Sequence, residues 1–186
     1  MKLMIASDLH GSAFYVKKLI EAYHASGAEK LLTLGDLLYH GPRNDLPKDY
    51  DTKKTAAMLN EIADELMCIR GNCEADVDQM MLDFPALTES GFLYWEGHII
   101  WLTHGHVFNV QNPPKMKKGD ILLHGHTHVP VIVPFGGESG QDFTYLNPGS
   151  VSIPKEGSCH SYMIFEDGHF AWYDLETGKE YMHFDM

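Results

Sequence analysis

The hydrophobic pattern changes its period along the chain. Lys2 to Ser7 holds an unbroken apolar run, Leu3-Met4-Ile5-Ala6. A short run without polar alternation suits a strand covered on both faces, as in a parallel sheet. Val16, Leu19, Ile20 and Tyr23 follow at helical spacing, with Ser12 placed to cap that helix and Gly27 to end it. Leu31 to Leu34 forms a second apolar run, closed by Gly35-Asp36. Gly41, Pro42, Asn44 and Pro47 mark the stretch from Tyr39 to Asp51 as a loop. Ala56, Met58, Leu59, Ile62, Ala63 and Leu66 outline a second amphipathic helix. A third strand, about Leu66 to Ile69, runs into Gly71-Asn72. The order β-α-β-α-β predicts parallel strands with right-handed crossovers.

Beyond residue 90 the apolar stretches shorten. Phe92 to Trp95, Ile99 to Thr103, Ile121 to Leu123, Val129 to Val133, Phe143 to Leu146, Tyr162 to Phe165 and Phe170 to Tyr173 are each bounded by turn residues. Asp167-Gly168 signals a two-residue hairpin between the last two. A parallel half and a hairpin-rich half predict two packed sheets with helices outside, in a single domain over residues 1–186.

A chain of 186 residues buries enough surface to fold without disulfides. Cys68, Cys73 and Cys159 are odd in number and lack a C-x-x-C spacing, which suits reduced thiols. The apolar run after Lys2 is too short for a signal peptide, and no run approaches the ~20 residues of a membrane span. A cytoplasmic location without a membrane partner is the expectation; a homo-oligomer stays open. The net charge of −12 argues against duplex nucleic acid as a partner, because such binders neutralise phosphates with a basic field. Lys115, Lys117 and Lys118, the densest basic group, suit a solvated loop.

The histidines are more informative. His104, His106, His124, His126 and His128 crowd one short stretch. Asp8-Leu9-His10, Gly35-Asp36, Gly71-Asn72, His104-Gly105-His106 and Gly125-His126-Thr127-His128 each follow a predicted strand. Strand ends of an α/β sheet share one edge, where ligands bind, so the five fragments are expected to converge. His126 and His128, two apart on extended chain, share a face. Carboxylate, imidazole and amide donors suit two divalent cations, Mn²⁺ first, with Fe, Zn²⁺ or Ni²⁺ compatible. Such a pair supplies a nucleophile from water and cancels charge on phosphoryl oxygens. Two carboxylates against two such cations leave a positive site in an acidic protein, which favours a small phosphodiester over a long polyanion.

Together these fragments resemble the ordered motifs of the calcineurin-like metallophosphoesterase superfamily, from Asp8 to His128 and on to Asn147-Pro148-Gly149-Ser150. Thr103-His104-Gly105-His106 and the Asn-Pro-Gly-Ser element are similar to those of its small bacterial YfcE-type phosphodiesterases, which are manganese-activated. The resemblance implies a four-layer α/β/β/α sandwich, two mixed β-sheets flanked by helices. It implies one metal on Asp8, His10, Asp36 and His128, and another on Asp36, Asn72, His104 and His126, with Asp36 bridging. The activity implied is hydrolysis of a small phosphodiester by a hydroxide between the metals. The alternatives are a phosphomonoesterase, a nucleotide-pyrophosphate hydrolase or a non-catalytic scaffold of the same fold.

One position departs from the pattern. Where the superfamily commonly reads Gly-Asn-His-Asp/Glu, with that His implied to protonate the leaving group, this chain reads Gly71-Asn72-Cys73-Glu74, and a thiol is a poorer acid near pH 7 than an imidazole. Cys73, His106 or a metal-bound water is then the candidate proton donor. Arg43 and Asn44, on the loop after Asp36, and Asn147 are expected at the substrate. His124 is expected behind a ligand or at a strand end, and His24, His98, His160, His169 and His183 in structural roles. Cys68 and Cys159 are expected as buried fillers.

Overall fold

Side chains that alternate across a strand decide the layering. In the computed structural model, described for residues 1–135 and 142–186, β1 (Lys2–Ala6) turns Leu3 and Ile5 to one face and Met4 and Ala6 to the other. β2 (Lys30–Thr33) and β3 (Leu66–Cys68) extend it in parallel, as the β-α-β-α-β order requires. β9 (Ser161–Glu166) lies antiparallel on the other side of β1, followed by β10 (His169–Asp174) and β11 (Glu180–Asp185). Asp167 and Gly168 both take positive φ in the β9–β10 turn, as the hairpin signal implies.

The second sheet runs β4-β5-β6-β8-β7, from β4 (Gly91–Trp95), β5 (His98–Thr103), β6 (Asp120–His124), β7 (Val131–Phe135) and β8 (Phe143–Asn147). Leu3, Ile5, Leu32, Phe165 and Trp172 of the first sheet meet Ile100, Leu102, Ile121, Leu123 and Leu146 of the second. The Trp172 indole N–H donates to the Asn147 carbonyl across this core at 2.7 Å. On the first sheet's outer face, α1 (Ala13–Ser26) and α2 (Thr52–Asn60) pack Val16, Leu19, Tyr23, Ala56 and Leu59. Ser12 accepts from the Tyr15 amide, and Gly27 ends α1 in the left-handed region. A short α3 (Asp76–Gln79) follows β3.

The α/β sandwich of two mixed sheets matches the expectation, with four differences in detail. β5–β6 and β6–β8 pair in parallel, so the second half is less hairpin-rich than its short runs imply; long connections carry the chain back. α2 stops at Asn60 and a 3-10 turn follows at Ala63–Glu65, because Leu66 is needed opposite Leu31 in the sheet. β11 was not expected, since only Met182 and Phe184 of that strand reach the core. Lastly, the outer face of the second sheet is covered by Val110 and Met116 from a loop; among the described residues no helix follows β4. Pro113 and Pro114 deny that loop the amide donors of a helix. No helix among the described residues is long and apolar enough to cross a membrane.

Leu32, between the sheets, is buried, and Leu32→Ala should cost about 3 kcal/mol of unfolding free energy. Met67, on the edge strand of the same sheet, is 39% exposed, and Met67→Ala should cost under about 1 kcal/mol. Urea unfolding of both variants measures the difference, and equal costs would contradict this core.

Candidate metal centre

The turns that leave β1, β2 and β6 are strained. Nine non-glycine residues among those described have positive φ, and five of them are Asp8, His10, Asp36, His126 and His128. Left-handed backbone is costly for residues with a Cβ and persists only where the surroundings over-determine it. Here the turns lock one another. The Asp8 amide donates to the Gly35 carbonyl at 3.1 Å and the His10 amide to the Asp36 carbonyl at 2.8 Å. The His126 amide donates to Asp8 Oδ2 at 3.0 Å and the Cys73 amide to Asp36 Oδ1 at 2.9 Å. Buried Glu74 accepts from the amides of Asp36, Leu37 and Gly71, tying the turns after β2 and β3 together. Only glycine fits at two of these crossings. A Cβ at Gly71 would lie 2.1 Å from Asp36 Oδ1, and one at Gly125 would lie 1.9 Å from Ser7 Oγ.

These turns bring all seven expected ligand residues together. His10, His104 and His128 donate from Nδ1 to the carbonyls of Tyr39, Leu34 and Ile153 at 2.8, 2.6 and 2.6 Å. A carbonyl only accepts, so Nδ1 holds a proton and each ring turns its Nε2 inward, where it offers a lone pair whenever the ring is neutral. The Nε2 atoms of His10 and His128 lie 3.3 Å apart. His104 Nε2 lies 3.1 Å from Asn72 Oδ1, 3.2 Å from His126 Nδ1 and 3.5 Å from Asp36 Oδ2. Asp8 Oδ1 is buried, 3.3 Å from His128 Nε2, yet accepts no hydrogen bond. Donor atoms of Asp8, His10 and His128 all lie within 4.8 Å of one another, as do those of Asp8, Asp36 and His104. So many lone pairs facing inward repel unless positive charge sits among them. The donor set fits divalent cations of the Mn²⁺, Fe or Zn²⁺ type.

The acid–base behaviour agrees. Burial opposes charge on Asp8, but the imidazoles of His10 and His128 prevail and hold it well below the usual carboxylate range. Burial likewise opposes charge on Asp36, and His104 overcomes it. Burial would lower His104, yet Asp36 and Asp8 raise it to about 9. Burial and then the charge on His104 lower both His126 and His106.

The other expected residues divide. Cys73 Sγ lies 3.3 Å from Asp36 Oδ2, and burial, then Asp36, push the thiol up. His106 is exposed, its ring centroid 5.5 Å from that of His104. Arg43 and Asn44 line the cavity of about 460 Å³ over the centre, beside Asn72, Cys73, His126 and Lys155. Asn147 is a correction: it is fully buried rather than facing substrate. Its amide donates to Gly125 O, Thr127 Oγ1 and Tyr145 OH, and its oxygen accepts from the Gly149 amide, so it braces the His126–His128 turn. His124 is buried behind that turn, stacked on Tyr145 at 4.2 Å and lowered by burial to about 4. Cys68 is buried as expected, but Cys159 is only half-buried. His160 stacks on Tyr15, and His169 and His183 pair with Asp185 and Glu180, all away from the centre.

Four residues contribute in ways that were not anticipated. Glu74 was visible as the last residue of the Gly71-Asn72-Cys73-Glu74 fragment, but not as the tie between two turns. Lys155 belongs to none of the motifs. Ser150 and Ser152 both donate to the Asp8 carbonyl, at 2.8 and 3.1 Å; the turn signal at Asn147-Pro148-Gly149 marked the place without the role.

Residues 1–167 match the calcineurin-like phosphoesterase superfamily domain. The chain belongs to that superfamily. Phosphodiesterase YfcE of Escherichia coli strain K12 is 44% identical to it over 167 residues, 90% of this chain and 88% of that protein. A solved structure of the E. coli phosphoesterase Yfce superposes with a TM-score of 0.93 at 40% identity, covering 100% of this chain and 99% of the other. A zinc complex of Vps29 from Entamoeba histolytica shares the fold at a TM-score of 0.58 and 19% identity, covering 100% of this chain and 99% of its own. The matched range spans all the turns that carry the seven candidate ligand residues.

Protons and cations compete for this phosphoesterase centre. The ordinary histidine value is 6.5, and His104 stands at about 9 in the folded, metal-free protein. Its protonation therefore stabilises the fold fully below about 6.5 and ceases to do so as pH rises through about 9. A cation needs the bare ring, so Mn²⁺ affinity should climb steadily between about pH 6 and pH 8.5, with proton release on binding. Calorimetry in buffers of different ionisation enthalpy measures both quantities. A flat affinity would contradict a cation beside His104.

Proposed function

We propose that this chain is a manganese-dependent phosphodiesterase acting on small diesters. The observation that carries the reading is the inward convergence of Asp8, His10, Asp36, Asn72, His104, His126 and His128, with Asp8 Oδ1 buried and without a donor. The E. coli relatives that carry the name phosphodiesterase support the diester class. Asp8, His10, Asp36 and His128 would hold one cation, and Asp36, Asn72, His104 and His126 the other. Bound there, two divalent cations supply a hydroxide-like nucleophile at neutral pH and neutralise the phosphoryl oxygens.

The chain's own residues set the terms of the reaction. The carbonyls of Tyr39, Leu34 and Ile153 fix three ligand rings in one tautomer. Arg43 and Lys155 line the cavity and offer cationic contacts to a phosphoryl oxygen. Cys73 borders Asp36 and keeps its proton at neutral pH. A thiol whose pKa is pushed up is a weak acid for the departing oxygen, so the leaving group must be good in its own right.

Two measurements test this. With Mn²⁺, bis(4-nitrophenyl) phosphate should be cleaved faster than 4-nitrophenyl phosphate, and Asp36→Ala should lower the diester rate by about a thousandfold or more. A faster monoester, or an Asp36→Ala rate within about tenfold of the parent, would overturn the assignment. Cys73→His should raise the rate on alkyl leaving groups by about a hundredfold and flatten the dependence of log kcat on leaving-group pKa. An unchanged slope would remove Cys73 from the account.

A further inference from the structure

A second cavity, of about 410 Å³, adjoins the centre. Leu38, Tyr39, Tyr50, Val77 and Met81 supply its apolar walls, and Cys73 lies between it and the metal cavity, lining both. The Sγ of Cys73 is 3.3 Å from Asp36 Oδ2, so the cleft opens one side chain away from the candidate metal centre. Its walls are held in place. The Tyr39 carbonyl is the acceptor that orients His10. The His40 ring stands edge-on to both tyrosines, with centroids 4.7 Å from Tyr39 and 5.2 Å from Tyr50. Tyr50 is bridged through its backbone to Ser12, the cap of α1.

Large apolar side chains are nevertheless left open to water: Tyr39 is 41% exposed, Val77 61% and Met81 40%. The charges of the two cavities differ. The metal cavity carries two cationic side chains, Arg43 and Lys155, against one carboxylate, Asp36, which is itself a candidate metal ligand. The cleft carries one lysine, Lys53, and one carboxylate, Asp78, which accepts from the Ala75 amide. The first is built for an anion, and the second has no net charge to hold one.

We infer that this cleft is the subsite for one ester arm of the substrate, and that the arm is an uncharged aromatic or similarly apolar group. The inference rests on the phosphodiesterase reading. A diester is a single anionic phosphorus with two arms. With its anionic oxygens among Arg43, Lys155 and the cations, an arm directed past Cys73 enters the cleft. That arm is the departing one, because Cys73, whose thiol carries a proton, is the side chain that lines both cavities and stands beside the bond from phosphorus to the arm that enters the cleft. Hydrolysis then breaks the bond from phosphorus to this arm; water gives its hydroxyl to phosphorus and its proton to the departing oxygen. A cavity of a few hundred Å³ with aromatic walls suits one ring system, and burying the apolar surface of that ring adds to affinity.

Binding can be measured apart from turnover. Dimethylphosphinate and methyl(2-naphthylmethyl)phosphinate copy the single charge of a diester and contain no ester bond. Calorimetry of both on the Mn²⁺-loaded protein should show the naphthyl compound binding about tenfold or more tightly. That advantage should fall below about threefold in Val77→Asp and in Tyr39→Ala. Val77 is exposed and the Tyr39 contact to His10 is through its backbone, so both variants should keep their circular dichroism and thermal midpoint. Equal affinities in the parent, or an undiminished advantage in both variants, would overturn the subsite. A naphthyl advantage confined to these walls supports the subsite even if no diester is hydrolysed, in which case only the catalytic reading fails.

Discussion

Two buried carboxylates and four imidazoles turn their electron pairs toward one small volume, and the rest of the structure is organised around that excess. Nothing in the turn geometry relieves it. The three ring protons that could have pointed inward are drawn outward to the carbonyls of Tyr39, Leu34 and Ile153. Asp8 Oδ1 is buried without a hydrogen bond, facing the Nε2 atoms of His128 and His10 at 3.3 and 3.7 Å. Positive charge is therefore required, and protons and divalent cations are its two sources. The raised pKa of His104, about 9, is the proton's share of that competition. A metal site and an acid-sensitive electrostatic knot are the same object under different conditions.

Holding that volume open places Asp8, His10, Asp36, His126 and His128 in left-handed backbone, each at a cost of about 1 kcal/mol or more. The inter-sheet core offsets this strain by fixing where the strand ends stop. Hydrogen bonds then fix how the turns leave. Glu74 joins the turns after β2 and β3. Ser150 and Ser152 hold the Asp8 carbonyl. Asn147 braces the turn after β6 while its own carbonyl receives the Trp172 indole from the facing sheet. The site is thus coupled to the packing of both layers.

This coupling explains what could be read from the chain. Ligand residues announce themselves because their chemistry needs particular types just after apolar runs, and strand ends of a shared sheet edge must meet. β1, β2, β3 and the Asp167-Gly168 hairpin were legible for the same local reasons. Asn147 was legible as part of a turn but not as a brace, because a polar side chain beside a glycine looks alike whether it faces solvent or a buried carbonyl. Glu74 and Lys155 act through tertiary placement that no spacing encodes. β11 contributes only Met182 and Phe184 to the core, too little apolar pattern to stand out. That no helix among the described residues covers the second sheet was equally silent, since the superfamily resemblance concerns the motif turns, and the proline pair at Pro113-Pro114 lies between them.

Cys73 joins these threads. An imidazole there would stand against Asp36 as a proton donor. The thiol is smaller, and Asp36 and burial together hold its proton in place. Proton donation is thereby weakened at the point where the metal cavity meets an apolar, nearly uncharged cleft. The two consequences reinforce each other. A departing group that cannot rely on a strong acid must stabilise its own negative charge, and delocalisation into an aromatic ring does so. The same ring has apolar surface that gains by leaving water. Selectivity for the departing arm then follows from the chemistry of one position and the walls beside it, while the metal ligands stay those of the superfamily.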